Sequence, residues 1–256
     1  MNTLLTTTFA ITTIPFFIGW LVQRKTLNAT SVDALWAITT GVLGVVYATL
    51  GSGDGFVRLF IGTFYSVWAI RLGALLVQRS RHPGEDGRYA QLRIWAKGRE
   101  QPVFFTMYMI QAGLAWLFAL PAWAASTGEA IPIYIMALAC GLFLASIIGT
   151  TIADFQLQRF KDNPANHKQV CDQGLWRYSR HPNYFFEWLH WFCYPLLGWL
   201  SPWASWLWLT PVMMVLFLYF ITGIPFTEQQ AIRSRGDAYR AYQSRTSPFI
   251  PWRLRS

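Results

Sequence analysis

The chain has 256 residues, of which 54% are hydrophobic, 17% are aromatic and only 13% are charged. Its apolar residues are gathered into long blocks, which is the composition of a membrane protein and not of a soluble enzyme. The formal net charge of +9 could suggest a nucleic-acid partner. The basic residues, however, are concentrated in alternate connections between the apolar blocks, so we expect no nucleic acid and attribute the charge to membrane topology.

The apolar blocks predict an all-α integral membrane protein with seven transmembrane helices in a single domain, residues 1–256. A helix that crosses a hydrocarbon core of roughly 30 Å needs about 20 mostly apolar residues. The candidate segments are residues 4–22, 33–50, 56–77, 102–124, 131–153, 184–200 and 203–224. The sixth segment is interrupted by Glu187 and His190. The first is not expected to be a cleaved signal peptide, because no basic residue precedes it and Arg24 and Lys25 follow it.

The distribution of lysine and arginine predicts the orientation. The loops around residues 51–55, 125–130 and 201–205 contain neither residue, whereas the alternate connections and the region after residue 232 hold nearly all of them. By the positive-inside rule the N-terminus lies outside and the C-terminus in the cytoplasm. We therefore expect an integral membrane protein whose basic side lies in the cytoplasm, where it suits anionic lipid headgroups and anionic soluble ligands.

Three stretches on the basic side are long enough to build a site: residues 78–101, 154–183 and 225–256. The first predicts a Pro-Gly turn followed by an amphipathic helix. In the last, one helix is predicted to end near Gly236 and a second to carry Tyr239 and Tyr242. The three cysteines and four histidines lack the spacing of a disulfide framework or a metal site, so no metal is predicted.

The stretch "SRHPNYFFEWLHWFCY" places a polar helix start at the basic face. Pro182 suits the first turn of a helix, and a helix N-terminus beside Arg180 and His181 is a favourable anion site. Asn183 and Glu187 then fall on one face, followed by His190 or Trp191 and by Tyr194. A carboxylate inside a membrane segment suggests function. The alternatives are a structural pair between Glu187 and Arg71, and for His190 a hydrogen bond to a neighbouring helix.

Asp154, Gln158 and Lys161 form a second polar stripe at helical spacing in "TTIADFQLQRFKDN". This stripe is either a solvated helix end or, beside an anion site, part of a nucleotide site. "SVDALW" predicts an N-capped helix start, where Asp33 would ordinarily complement the helix dipole. The motifs GxGxxG, HExxH and GxSxG and the Walker loop do not occur.

"DQGLWRYSRHPNYFFEWLHW", together with "ADFQLQRFKDN" and "GDAYRAYQSRTSPFIPW", resembles the steroid 5α-reductase family, and most closely its bacterial branch of uncharacterised membrane reductases. The resemblance covers most of the chain and is strongest from about residue 150, so that the cofactor-binding half is approximately residues 150–256. It implies a seven-helix enzyme of a bacterial inner membrane that uses NADPH. Its cofactor site would face the cytoplasm, and its lipophilic substrate would enter laterally from the bilayer. The implied reaction is reduction of a C=C bond conjugated to a carbonyl.

The resemblance also implies site residues. Gly174, Asn183 and Glu187 match a family motif whose asparagine and glutamate lie at the nicotinamide end of the cofactor, and Asp154 and Lys161 match an aspartate and a basic residue on the fifth-helix extension. Glu228 stands in the C-terminal helix where animal enzymes have histidine. The full predicted cofactor-binding set is Asp154, Gln158, Lys161, Arg177, Tyr178, Arg180, His181, Asn183, Glu187, Glu228, Arg79 and Tyr89.

The substrate side departs from the animal steroid reductases. Their second-helix Gln-Glu pair is missing, and Trp68 replaces a third-helix tyrosine, although Tyr65 is one turn away. A hydrogen-bond donor for the enolate oxygen is still needed; the candidates are Asp33, Tyr65, Tyr108 and Gln111. Glu187, Asp33 and Tyr65 are thus the predicted catalytic residues, and steroid itself is not predicted as the substrate.

Two other classes of protein remain open. "RHPNY" followed by "EQQAI" and "PFIP" is similar to isoprenylcysteine carboxyl and phospholipid methyltransferases, which bind S-adenosylmethionine. The pairing of Asn183 with Glu187, and the presence of Asp154, favour the reductase. A non-enzymatic lipid-binding membrane protein or transporter is the third possibility. A transporter would need polar motifs along a symmetric pathway across the bilayer, whereas the polar motifs of this chain lie on one side.

Overall fold

The computed structural model describes residues 2–221 and 223–252, and within these ranges the regular structure is helical. Apart from helices the described residues contain one isolated parallel bridge, between Ser179 and Ser247. This confirms the prediction of an all-α protein. The α-helices are α1 Asn2–Thr26, α2 Val32–Leu50, α3 Gly55–Ser80, α4 Gly87–Trp95, α5 Glu100–Ala125, α6 Ile133–Asp162, α7 Pro182–His190, α8 Cys193–Leu197, α9 Ala204–Leu207, α10 Leu209–Leu216, α11 Ile224–Arg235 and α12 Asp237–Arg245.

Six stretches of the described chain are long and apolar enough to cross a membrane, which makes this a membrane protein. They are Thr3–Thr26, Val32–Leu50, Gly55–Ser80, Glu100–Ala125, Ile133–Asp162 and Ala204–Arg235. The sixth predicted segment, residues 184–200, was wrong as a single helix. It forms the short helices α7 and α8, because the chain turns at Trp191 and Phe192 between them.

Two compact units divide the chain: Met1–Ile131 with Gly198–Ala204 (unit 1), and Pro132–Leu197 with Ser205–Ser256 (unit 2). The single-domain assignment made from the sequence stays a prediction.

Unit 1 is built from α1 to α5 around close helix contacts. Gly41 and Gly44 of α2 allow α3 to approach, because a Cβ at these positions would lie 2.1 Å from the Ala69 side chain and 2.2 Å from the Tyr65 ring. Asp54 caps α3 by accepting from two backbone amides, whereas Ser31 makes no side-chain capping bond to α2. The predicted cap of α2 was therefore wrong, although that helix begins where the sequence indicated.

The connection between α5 and α6 is held by hydrogen bonds within unit 1. Gly53 N–H donates to the Ser126 carbonyl at 2.9 Å, and Ser201 Oγ donates to the Ala124 carbonyl at 2.7 Å. Residues 198–204 therefore lie against the C-terminal end of α5.

Unit 2 is organised along α6, and α7 and α8 run antiparallel to it. Asn183 bonds Asp154, a Cβ on Gly149 would lie 2.3 Å from the Phe186 ring, and the Cys193 thiol lies 3.4 Å from the Ala139 carbonyl. The contacts descend α6 from residue 154 to residue 139 as α7 and α8 proceed. At a rise of about 1.5 Å per residue this spans roughly 22 Å of α6.

Candidate functional site

The loop before α7 is anchored on α6 by residues 174–176. Gly174 has φ +57, and an added Cβ would lie 2.4 Å from the Gln156 amide, so both its conformation and its surroundings require glycine. Leu175 N–H donates to Gln156 Oε1 at 2.9 Å, and the Trp176 indole donates to the Ala153 carbonyl at 2.9 Å. These bonds fix where α7 begins relative to α6.

The C-terminal tail holds the same loop from the other side. Arg180 N–H donates to the Ser247 carbonyl at 2.8 Å and Trp252 N–H donates to the Tyr178 carbonyl at 3.0 Å. The Ser179 hydroxyl donates to the Phe249 carbonyl at 2.7 Å. The backbone of the tail therefore holds residues 178–180 in place.

Glu228 on α11 is the centre of a buried ionic cluster that also contains Arg180 and His181. Arg180 Nε lies 2.7 Å from Glu228 Oε1, and His181 Nε2 lies 3.2 Å from the same oxygen. Gln243 Nε2 donates to Glu228 Oε2 at 2.8 Å. Arg180 also donates to the Gln243 carbonyl. The guanidinium at the start of α7 therefore already has an internal carboxylate partner.

Burial changes the pKa of groups in and beside this cluster. Burial lowers the pKa of His181 below its ordinary value of 6.5, and this effect exceeds the opposing influence of Glu228. Burial also raises the pKa of the Tyr242 phenol, whose hydroxyl donates to the Trp176 carbonyl. At neutral pH both groups are uncharged.

Asn183 and Asp154 form the polar pair at the N-terminal end of α7. Asn183 Nδ2 donates to Asp154 Oδ1 at 3.0 Å, and its Oδ1 accepts from the Tyr184 amide at 3.0 Å. Asp154 is buried on α6. Glu187 is half-buried one turn further along α7. The structure thus brings Asp154, Asn183 and Glu187, all predicted from the sequence, onto adjoining faces of two helices.

α7 begins at Pro182 with His181 before it, as the sequence predicted. One alternative for this stretch, the hydrogen bond of His190, also has a structural outcome. The Tyr194 hydroxyl lies 2.7 Å from His190 Nε2, which favours a bond between the neighbouring helices α7 and α8 as the role of that histidine.

The remaining predicted groups of unit 2 are exposed. Gln158 donates to Asp162 on its own helix at 2.7 Å, and Lys161, Arg177 and Tyr178 face outward. Arg177 lines a cavity of about 300 Å³ with Asp172, Arg245 and Thr246. A second, polar cavity of about 500 Å³ lies on another face of α6; its lining includes Gln156, Arg159, Asn163, Asn166 and Gln173.

The candidate residues Asp33 and Tyr89 belong to unit 1 and bond each other. The Tyr89 hydroxyl lies 2.5 Å from Asp33 Oδ1, and Arg88 Nη2 lies 2.5 Å from Asp33 Oδ2. Arg88 also pairs with Asp86. Burial, followed by the charge of Asp33, raises the pKa of Tyr89. Arg79 is exposed at the end of α3. Asp33 therefore ties α2 to α4, which the sequence pattern did not reveal.

The two candidate tyrosines of unit 1 differ in their hydrogen bonding. The fully buried Tyr65 donates to the Phe118 carbonyl at 2.9 Å. The Tyr108 hydroxyl is equally buried, and it has no hydrogen-bond partner of normal geometry among the described residues. The Tyr65 hydroxyl thus already donates its proton to a backbone carbonyl within the helix bundle.

Together the apolar helices and the polar network at one end of α6 and α7 define an all-helical membrane protein with a candidate site built from buried polar side chains. The chain belongs to the family described as "Protein of unknown function (DUF1295)", whose model matches residues 19–246. It is also similar to an uncharacterised protein of the fission yeast Schizosaccharomyces pombe, at 25% identity over 95% of this chain and 81% of the relative. No solved structure matches it.

Two functional contacts were missed by sequence reasoning. Gln156 was not singled out, although it is two residues from Asp154 on the same helix and its amide contacts Gly174. Glu228 was recognised by position, but its partners Arg180 and His181 are 47 or more residues away in the chain. A glutamate in an otherwise basic segment was the available signal for such an ion pair.

Proposed function

We propose that this protein is a membrane-embedded reductase that uses NADPH to reduce a C=C bond conjugated to a carbonyl in a lipophilic substrate. The resemblance of residues 150–256 to steroid 5α-reductases supports this proposal. So do the positions of Asp154, Asn183 and Glu187, which are far apart in the chain and adjacent in unit 2.

The hydrogen bond between Asn183 and Asp154 is the observation that carries the proposal. A primary amide such as that of nicotinamide needs both a donor and an acceptor. The Asn183 amide nitrogen has two protons, so it can donate to Asp154 and to a ligand carbonyl at the same time. Glu187 adds an acceptor one turn further along. These residue types therefore fit the nicotinamide end of the cofactor, which when bound supplies a hydride.

The phosphates of a soluble cofactor need cationic side chains that lie at the protein surface. Arg180 is paired with Glu228, and its role in this proposal is to fix the start of α7. Lys161 and Arg177 are exposed on the same unit, so they are the residues that we assign to the phosphates. We also assign Gln158, Tyr178 and His181 to the cofactor site. His181 acts there through its contact with Glu228.

The membrane topology that we propose has seven crossings, with the N-terminus outside and the cofactor site facing the cytoplasm. The crossing absent from the six long helices is made by α7 and α8, which together run antiparallel to α6 for roughly 22 Å. The concentration of lysine and arginine in alternate connections supports this orientation. A bacterial inner membrane fits the same charge pattern.

A binding experiment on the purified protein in detergent tests the function. Thermal unfolding is measured with NADPH, NADH and S-adenosylmethionine, because a ligand that binds only the native state raises Tm by an amount that increases with the ratio of its concentration to its Kd. We expect NADPH to raise Tm most. A rise with S-adenosylmethionine alone would replace the reductase by the methyltransferase that the "RHPNY" motif also suggests. No rise with any of the three would favour a non-enzymatic lipid-binding protein.

Turnover is tested separately with a lipophilic enone. Oxidation of NADPH is followed by its absorbance, and mass spectrometry checks the product for the gain of two hydrogens. The ¹³C NMR spectrum of the product then distinguishes a saturated ketone from the isomeric allylic alcohol. Hydride adds to the β carbon and a proton to the α carbon, so the carbonyl is retained. Reduction of the carbonyl to an alcohol would contradict the proposed reaction while leaving the cofactor assignment intact.

A further inference from the structure

The polar cavity of about 500 Å³ beside the C-terminal end of α6 contains an arginine whose charge has no carboxylate partner. We call it the α6 cavity; its described lining lies between residues 156 and 174 and combines the Arg159 guanidinium with four side-chain amides. This described lining includes no Asp or Glu, and none of the ion pairs of the described chain includes Arg159. Such a guanidinium is suited to a phosphate group, which it can bind through two parallel hydrogen bonds.

An apolar stripe on α6 leads to this arginine. Ile148, Ile152, Phe155 and Arg159 are spaced at i, i+4, i+7 and i+11, so they share one face of the helix. The three apolar side chains are 55%, 43% and 64% exposed. On a membrane-spanning helix such side chains lie against the acyl chains of lipids. Arg159 is roughly 16 Å further along the axis than Ile148, so it lies where an acyl chain that follows the stripe joins its headgroup.

The amides of the α6 cavity have donors and acceptors left for a ligand. Gln156 Oε1 and Asn163 Oδ1 each accept from a backbone amide, so the NH₂ groups of both side chains remain as donors. Asn166 donates to the Phe160 carbonyl at 2.9 Å, which leaves its side-chain oxygen as an acceptor. The hydroxyl groups of a sugar or glycerol headgroup both donate and accept hydrogen bonds, so these amides match them.

Further cations lie near the cavity, and the nearby carboxylates already have partners. Burial raises the pKa of the Cys171 thiol in the lining, and the charges of Lys161 and Arg235 act to lower it, so both cations are close to the thiol. Asp172 is bound by an arginine at 2.6 Å, and Asp162 accepts from a glutamine on its own helix at 2.7 Å. The charges around the cavity therefore favour an anion and disfavour an ammonium group.

We propose that the α6 cavity binds the headgroup of an anionic phospholipid with headgroup hydroxyls, such as phosphatidylglycerol. Arg159 binds the phosphodiester, the amides bind the headgroup hydroxyls, and an acyl chain follows Ile148, Ile152 and Phe155. The cavity lies within unit 2, on the face of α6 opposite Asp154. The site goes beyond the proposed reductase activity and does not depend on NADPH.

Native mass spectrometry of the purified protein, without NADPH, tests this site. Phosphatidylglycerol and phosphatidylethanolamine with the same acyl chains are titrated separately, so that only the headgroup differs. We expect the apparent Kd for phosphatidylglycerol to be about tenfold lower, the size of effect that one charge-assisted contact supports. A third titration uses glycerol 3-phosphate, which has the phosphate but no acyl chain. We expect it not to bind at the concentrations at which phosphatidylglycerol binds.

Arg159→Gln is compared with Arg233→Gln as its matched control. Arg233 is exposed on α11 and does not line the cavity, so its replacement removes the same charge at another place in unit 2. Arg159→Gln should lose most of the preference for phosphatidylglycerol, and Arg233→Gln should keep it. Thermal unfolding shows whether each variant folds. If Arg159→Gln does not fold, Gln173→Leu, which removes an exposed amide of the lining, takes its place and is judged in the same way.

Equal affinity of the wild type for the two lipids would overturn the proposal. So would a preference that persists in the folded cavity variant, or an equal loss in Arg233→Gln, which would attribute the preference to net charge alone. Binding of glycerol 3-phosphate as tight as that of phosphatidylglycerol would replace the lipid by a soluble phosphate ester. Because every titration is made without NADPH, these results are independent of whether the protein proves to be a reductase.

Discussion

Asn183, in the first turn of α7, donates a hydrogen bond of 3.0 Å to Asp154, which is buried on α6. The two residues are 29 positions apart, and the loop between them is held by Gln156 and Trp176. The pair therefore depends on the shape of that loop as much as on its own chemistry. It also places a carboxylate, an amide and the start of a helix within the same few ångströms.

Asn183→Ala and Asp154→Ala should each weaken NADPH binding about tenfold or more, because each removes one partner of the hydrogen-bonded polar pair. Calorimetry or the NADPH-dependent rise in Tm measures the loss. Thr151→Ala is the matched control: Thr151 is exposed on the same helix, and its hydroxyl bonds the Ile147 carbonyl. Unchanged NADPH affinity in both site variants would remove Asp154 and Asn183 from the cofactor site.

The ion pair between Glu228 and Arg180 should be strongly coupled in stability. Their side chains are 14% and 11% exposed, so Glu228→Gln leaves a nearly buried guanidinium without its carboxylate. We expect a loss of about 3 kcal/mol in the free energy of unfolding, the size usual for a broken buried pair. The double variant Glu228→Gln/Arg180→Gln should be less destabilised than the sum of the two single variants. Additive losses in detergent would show that the pair is not coupled.

Low pH should destabilise unit 2 through His181. Because burial lowers its pKa in the folded protein below the ordinary 6.5, the unfolded chain takes up the proton first as pH falls. The stability contributed by neutral His181 is therefore present above pH 6.5 and is lost progressively below it. His181→Gln should flatten the dependence of Tm on pH in this window. Equal slopes for the wild type and His181→Gln would contradict this assignment.

The sequence predicted most of the helices because each depends on local information. Apolar runs determined the long spans, Pro182 marked the start of α7, and Gly236 ended α11 with φ +56. The break between α7 and α8 was missed, since Trp191 and Phe192 are apolar and carry no turn signal. Hydropathy reports the environment of a segment, and it does not report whether its backbone is continuous.

The candidate site was predictable only where its residues share one helix. Asn183 and Glu187 follow helical spacing on α7, so they could be found from sequence. The partners of Asp33, which are Arg88 and Tyr89, lie 55 and 56 residues away. No periodicity encodes such a contact, because it results from the packing of α4 against α2. The structure places Asp33 in an ion pair with Arg88, and its catalytic role stays a prediction.

Gly149→Ala should loosen the packing of α7 on α6. A Cβ at this position would lie 2.3 Å from the Phe186 ring, closer than real contacts allow. Overpacking of this kind costs about 1–3 kcal/mol, so we expect a lower Tm and weaker NADPH binding. Gly149→Ala/Phe186→Leu should recover part of the loss because the smaller side chain makes room. Gly141→Ala, with open space around its added Cβ, should have little effect.

A topology with seven crossings and one with six crossings place Asp237 on different sides of the membrane relative to Glu129. Glu129 precedes α6, and Asp237 follows α11; both are exposed. Between them lie α6, the α7–α8 pair and the Ala204–Arg235 stretch, so three crossings place the two residues on opposite sides of the membrane. If α7 and α8 did not cross, two crossings would place Glu129 and Asp237 on the same side.

Cysteine labelling measures this difference. Glu129→Cys and Asp237→Cys are introduced separately after Cys140, Cys171 and Cys193 have been replaced, and intact cells are treated with an impermeant maleimide.

We expect Glu129→Cys to react in intact cells and Asp237→Cys to react only after the membrane is permeabilised, because the basic connections remain inside. His82→Cys, in the exposed turn after α3, is the matched control and should behave like Asp237→Cys. Reaction of both Glu129→Cys and Asp237→Cys in intact cells would show that α7 and α8 do not cross the bilayer.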